Sequence, residues 1–91
     1  MTVNVKIPTQ LRPLVGGVAQ VEASGATVEG VIADLGERFP GVTPRLIDEN
    51  GALRRFVNLY VDDEDVRFLQ GLDTPVRPGG NVTILPAIAG G

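Results

Sequence analysis

One stripe of apolar residues constrains this chain more than any other feature. Val28, Val31, Ile32, Leu35 and Phe39 recur at three- and four-residue spacing, which places them on one face of a helix. The segments before and after that stripe alternate with period two, the pattern of half-buried strands. A single main helix covers only one face of a sheet. The economical solution is an α+β domain: a mixed sheet of four to five strands packed on one helix, its other face open.

The helix carries its own punctuation. Thr27 is placed to cap it, Glu29 and Arg38 have favourable signs for the macrodipole, and Pro40-Gly41 stops it. Gly30 and Gly36 each cost about 1 kcal/mol relative to Ala, and either is a candidate for close helix–sheet approach. Before the helix, Val3, Val5 and Ile7 alternate with Asn4 and Lys6. Thr9 to Val15, with Pro13, reads as a long loop. Gly16-Gly17 supplies a turn, and Ala19, Val21 and Ala23 alternate against Gln20 and Glu22. After the helix, Thr43 to Ile47 fits a short second helix with Thr43 as cap and Pro44 at its first position. Glu49-Asn50-Gly51 turns the chain. Arg55, Val57, Leu59 and Val61 then form one face of a strand, and Phe56, Asn58 and Tyr60 the other. Asp62 to Asp65 follows, then a short apolar piece around Val66 and Phe68. Leu72 to Val76 is irregular, and Val82 to Leu85 makes a last strand. A helical crossover allows a strand after it to run parallel to one before it.

Absences narrow the chemistry. The 91 residues contain no Cys and no His, which removes thiol nucleophiles, Ser-His and Cys-His pairs, and zinc sites of thiolate or imidazole type. The net charge is −3, and only Arg54-Arg55 are adjacent cations, so no basic face for nucleic acid is expected. The N-terminal residues contain no apolar run of signal-peptide length, and no segment approaches a membrane span, so a cytoplasmic location without membrane partners is expected. Asp62 to Asp65 is the densest charge cluster and consists of hard cation ligands. Its spacing is not that of an EF-hand, and a solvated turn without metal is the expectation.

The chain reaches Ala89-Gly90-Gly91 soon after Pro86, a residue suited to the point where a tail leaves a sheet. Residues 1–86 are expected to be the folded domain and 87–91 a flexible tail. Glycine lacks Cβ and fits a narrow channel, although the dipeptide alone reads more readily as an inert, flexible tail.

The order of elements resembles the ubiquitin-like β-grasp fold, and more narrowly the small bacterial sulfur carriers of the MoaD and ThiS group. The likeness runs almost end to end. It rests on Ile7-Pro8-Thr9, Leu11-Arg12-Pro13, Arg55-Phe56-Val57-Asn58-Leu59-Tyr60-Val61, Asp63-Glu64-Asp65-Val66-Arg67-Phe68 and Val82 through Gly91. The branch nearest in likeness serves actinobacterial cysteine biosynthesis. The resemblance implies a co-substrate rather than an enzyme, with no bound cofactor. An E1-like adenylating enzyme of the MoeB/MoeZ type uses ATP to activate the Gly91 carboxylate, a sulfur donor converts it to a thiocarboxylate, and Ala89, Gly90 and Gly91 thread into partner active sites. Further partners implied are a pyridoxal-phosphate cysteine synthase, or another sulfur-acceptor enzyme, and a JAMM-type zinc peptidase. Phe56 and Tyr60 are candidates for docking, with ordinary partial burial as the alternative. A carrier for molybdopterin, thiamine or a secondary metabolite shares the same chemistry. A protein modifier joined through Gly91 is the reading from another class. Lys6, the single lysine, leaves little for chains built on the protein itself.

Overall fold

The alternation of Val3, Val5 and Ile7 becomes β1 (Val3–Lys6), which pairs antiparallel with β2 (Gln20–Ala23). The computed structural model describes residues 2–86. The chain crosses over through α1 (Val28–Arg38) and α2 (Thr43–Leu46), then forms β3 (Val57–Val61), the short β4 (Glu64–Asp65) and β5 (Asn81–Pro86). Strand order is β2-β1-β5-β3-β4, with β5 parallel to β1 and antiparallel to β3. This is the β-grasp arrangement, and the β1–β5 pair is the parallel pairing that the crossover permits. No helix among the described residues is long and apolar enough to cross a membrane.

One face of the sheet presents Val3, Val5, Val21, Ala23, Val57, Leu59, Val61, Val82 and Ile84 to the helix, whose Val28, Val31, Ile32 and Leu35 complete the core. Leu35 and Leu59 have no exposed surface, and Phe39 is partly buried at the edge. Thr27 caps α1 as expected: its Oγ1 accepts the Gly30 N–H at 3.2 Å. The Val28 N–H donates to the Thr74 carbonyl at 3.0 Å, tying the helix start to the irregular segment before β5.

Several local readings change. Thr9–Val15 is a 3-10 helix rather than a loop, with Leu11 and Val15 turned into the core. Neither Gly30 nor Gly36 mediates helix–sheet approach, because both lie off the apolar stripe. A Cβ on Gly30 would meet Gly25, and one on Gly36 would collide with the Thr43 side chain, so these glycines fit α1 against a loop and against α2. Val42, not Thr43, caps α2, so Pro44 falls at its second position. Ala19 is exposed and precedes β2. Arg55 and Phe56 belong to a turn, and β3 begins only at Val57.

The acidic segment is a tight turn in which Asp62 and Asp63 adopt left-handed φ of 48° and 74°. Asp62 Oδ1 accepts the Asn81 N–H at 3.0 Å, and its Oδ2 lies 3.6 Å from Arg77. Asp65 Oδ1 accepts the Arg67 N–H at 2.8 Å. These carboxylates satisfy backbone donors at strand and turn ends.

Candidate docking and transfer site

Ala89, Gly90 and Gly91 lie outside the described residues, as does the expectation of a flexible tail over 87–91. The surface from which they depart is defined. Pro86 pairs with Val57, so the last described residue stands at the amino end of β3. Because β5 runs parallel to β1, the same end of the sheet carries the exit of β1 and its 3-10 helix on the other side. The segment entering β3 is held to α2 by the Arg54 N–H donating to the Leu46 carbonyl at 2.8 Å and by the Ile47–Leu53 bridge.

This end collects cations from four separate elements. Arg12 Nε donates to the Ile7 carbonyl at 3.1 Å, and Arg54 Nε to the Pro44 carbonyl at 2.6 Å. Arg67 reaches back along the edge of β3, with Nη1 on Asn58 Oδ1 at 2.6 Å and Nη2 on the carbonyls of Arg54 and Arg55 at 3.0 and 3.3 Å. Arg45, Arg54 and Arg55 line an open cleft of about 620 Å³ together with Phe56, Val57 and Ile84. Among the described residues the ion pairs are Arg38–Asp34 and Arg77–Asp62, so none of Arg12, Arg45, Arg54, Arg55 and Arg67 has a carboxylate within 4.0 Å. Asp48, also on the cleft wall, directs Oδ1 to the N–H groups of Asn50 and Ala52 at 2.8 and 3.1 Å. Adjacency in sequence gave only Arg54-Arg55, whereas the β1–β5–β3 arrangement brings in the other three.

The two aromatic candidates separate. Phe56 is 57% exposed on the cleft. Tyr60 is half-buried on the open face, opposite Thr83 and Asp65. Phe56 lies in the turn before β3 and Tyr60 within the strand, so the two do not share one strand face. Leu85, 46% exposed and opposite Asn58, is the apolar residue that the structure adds near the exit. Its outward position follows from alternation with buried Ile84, a signal present in the sequence.

Comparison with known proteins places this geometry. The ThiS family model matches residues 5–91. The chain is 55% identical to the sulfur carrier protein CysO of Mycobacterium tuberculosis, over 100% of both chains. The crystal structure of that protein superposes with a TM-score of 0.90, covering 94% of this chain and 99% of the other. A chain of the BexX/CysO complex of Amycolatopsis orientalis superposes with a TM-score of 0.92 at 53% identity, covering 98% and 99%. Small archaeal modifier protein 3 of Haloferax volcanii is 35% identical over 72% of this chain and 71% of its own.

Proposed function

This chain belongs to the ThiS family, and on that premise we propose that it is a sulfur carrier whose Gly91 carboxylate becomes a thiocarboxylate. The observation that carries the reading is the match at 55% identity to a sulfur carrier over 100% of both chains. The absence of cysteine supports it, since no side-chain thiol is available to hold transferable sulfur.

The chemistry follows from the weakness of a carboxylate as an electrophile. In the partner adenylating enzyme a Gly91 oxygen attacks the α-phosphorus of ATP and pyrophosphate leaves. The acyl carbon of the resulting adenylate is open to sulfide, or to a persulfide on a donor followed by reductive cleavage, and AMP departs. The protein's own contribution is delivery: β5 is held between β1 and β3 and reaches Pro86, opposite Val57, ahead of the residues that the partner would receive. That a related chain occurs in a BexX/CysO complex supports engagement of a partner protein. For the acceptor we favour a pyridoxal-phosphate cysteine synthase. That partner's cofactor would supply an electrophilic carbon for the thiocarboxylate sulfur. Once the product's amine is freed from the cofactor, an S-to-N acyl shift would give carrier-linked cysteine, which a zinc peptidase of the JAMM type would release. The similarity to a small archaeal modifier protein supports a second reading, an isopeptide bond from Gly91 to a lysine of another protein.

Intact-mass spectrometry after incubation with the adenylating enzyme from the same genome, ATP and sulfide tests the first reading. One oxygen should be replaced by sulfur. Protein that stays unchanged, or that instead appears linked to lysines of host proteins, would reject it.

A further inference from the structure

Sulfur transfer at Gly91 does not by itself account for the arginines gathered at the root of the tail. The chain is acidic overall, with a net charge of −3. Yet Arg12, Arg45, Arg54, Arg55 and Arg67 all stand at the β5 exit, and none has a carboxylate within 4.0 Å among the described residues. Three of them are fixed through hydrogen bonds to backbone carbonyls, which orient the guanidinium without neutralising it. Arg45 and Arg55 project from the walls of the cleft that also holds exposed Phe56. Clustered like charges repel one another, so a fold that keeps them unpaired gains from them elsewhere.

We infer that this arginine collar docks on an acidic protein surface bordering the channel of the adenylating enzyme that receives the tail. The inference rests on the proposed carrier function. An acidic rim would repel an isolated carboxylate tail. Five guanidinium groups at the tail's root reverse that sign and let the rim discriminate this carrier from other chains ending in glycine. Phe56 supplies an apolar anchor within the ring of charge, the arrangement found at the centre of energetically important contacts. A nucleic acid is the less fitting occupant, because the same small domain carries 11 Asp and Glu residues that would face a long polyanion.

Association kinetics with the purified adenylating enzyme, without ATP, test this separately from sulfur gain. Arg45→Glu and Arg55→Glu alter guanidinium groups that hold no hydrogen bond among the described residues, and thermal melting verifies that both variants stay folded. The double reversal should slow association by roughly 10-fold or more at low salt, the range typical of electrostatic steering. The difference from the unmodified protein should vanish as the screening length falls from about 30 Å at 0.01 M to about 3 Å at 1 M salt. Arg77→Glu, the same reversal at a single position at the far end, should have little effect compared with either single reversal at the collar. Association insensitive to salt, or slowed equally by Arg77→Glu, overturns the inference. So does a short single-stranded oligonucleotide that binds the unmodified protein as tightly as the enzyme and displaces it. Failure of the unmodified protein to gain sulfur at saturating enzyme would instead count against the carrier function, leaving the binding result to stand by itself.

Discussion

At the end of the sheet where β3 turns into β4, charge is used up by the fold. Asp62 closes onto the Asn81 N–H and lies beside Arg77, and Asp65 holds the Arg67 N–H. At the opposite end, where β5 leaves the sheet, arginines from four elements stand near an open cleft without carboxylate partners among the described residues. Both ends are charge-dense, hang on the same β3–β5 ladder and tie charged side chains to the backbone. They differ in that Asp62 also meets an opposite charge in Arg77, whereas the arginines at the other end meet none among the described residues. Charge density alone does not mark a functional surface. The test is whether its hydrogen-bonding capacity and its sign have been satisfied internally.

That contrast can be broken by substitution, and the largest effect belongs to what the two ends share. Leu59 sits fully buried at the middle of β3, and Leu59→Ala should cost about 2–5 kcal/mol by denaturant unfolding. A much smaller loss would mean the ends are not held on one core. Asp62→Ala should cost about 1–2 kcal/mol, because it removes a hydrogen bond to the Asn81 N–H and puts Ala at a left-handed φ of 48°. Asp62→Asn should recover much of it by keeping an acceptor and tolerating that backbone. Equal losses from both would point to charge rather than the hydrogen bond. Thr27→Ala, away from both ends, should cost about 1 kcal/mol through loss of the helix cap. At the basic end, Arg55→Ala should move stability by no more than about 0.5 kcal/mol. A destabilisation matching that of Asp62→Ala would erase the distinction between the two ends.

The sequence disclosed what depends on neighbours along the chain. The α1 stripe with its Thr27 cap, the alternation of Val3, Val5 and Ile7, and the outward and inward faces of β3 all follow from local periodicity. Where alternation outran the strand, it misled: Arg55 and Phe56 continue the pattern of β3, but the Arg54 bond to Leu46 and the Arg67 bridge hold them in a turn. Thr43 looked like a cap because of its hydroxyl, yet that side chain is packed beneath Gly36 and Val42 takes the position. The arginine collar was not legible, since Arg12, Arg45 and Arg67 are far from Arg54 in sequence and only strand order unites them. Gly91 rests on the opposite kind of information, the identity and position of one residue in the chain.

The most direct measurement is therefore sulfur incorporation into protein lacking Gly91, read by intact-mass spectrometry after incubation with the adenylating enzyme, ATP and sulfide. The described core is built between Val3 and Ile84, so the truncated protein should melt within a few degrees of the full-length chain. It should gain no sulfur, while Gly90→Ala should gain it slowly because a Cβ crowds a channel shaped for glycine. If protein ending at Gly90 acquired sulfur as fast and as fully as the intact chain, Gly91 would not be the transfer residue.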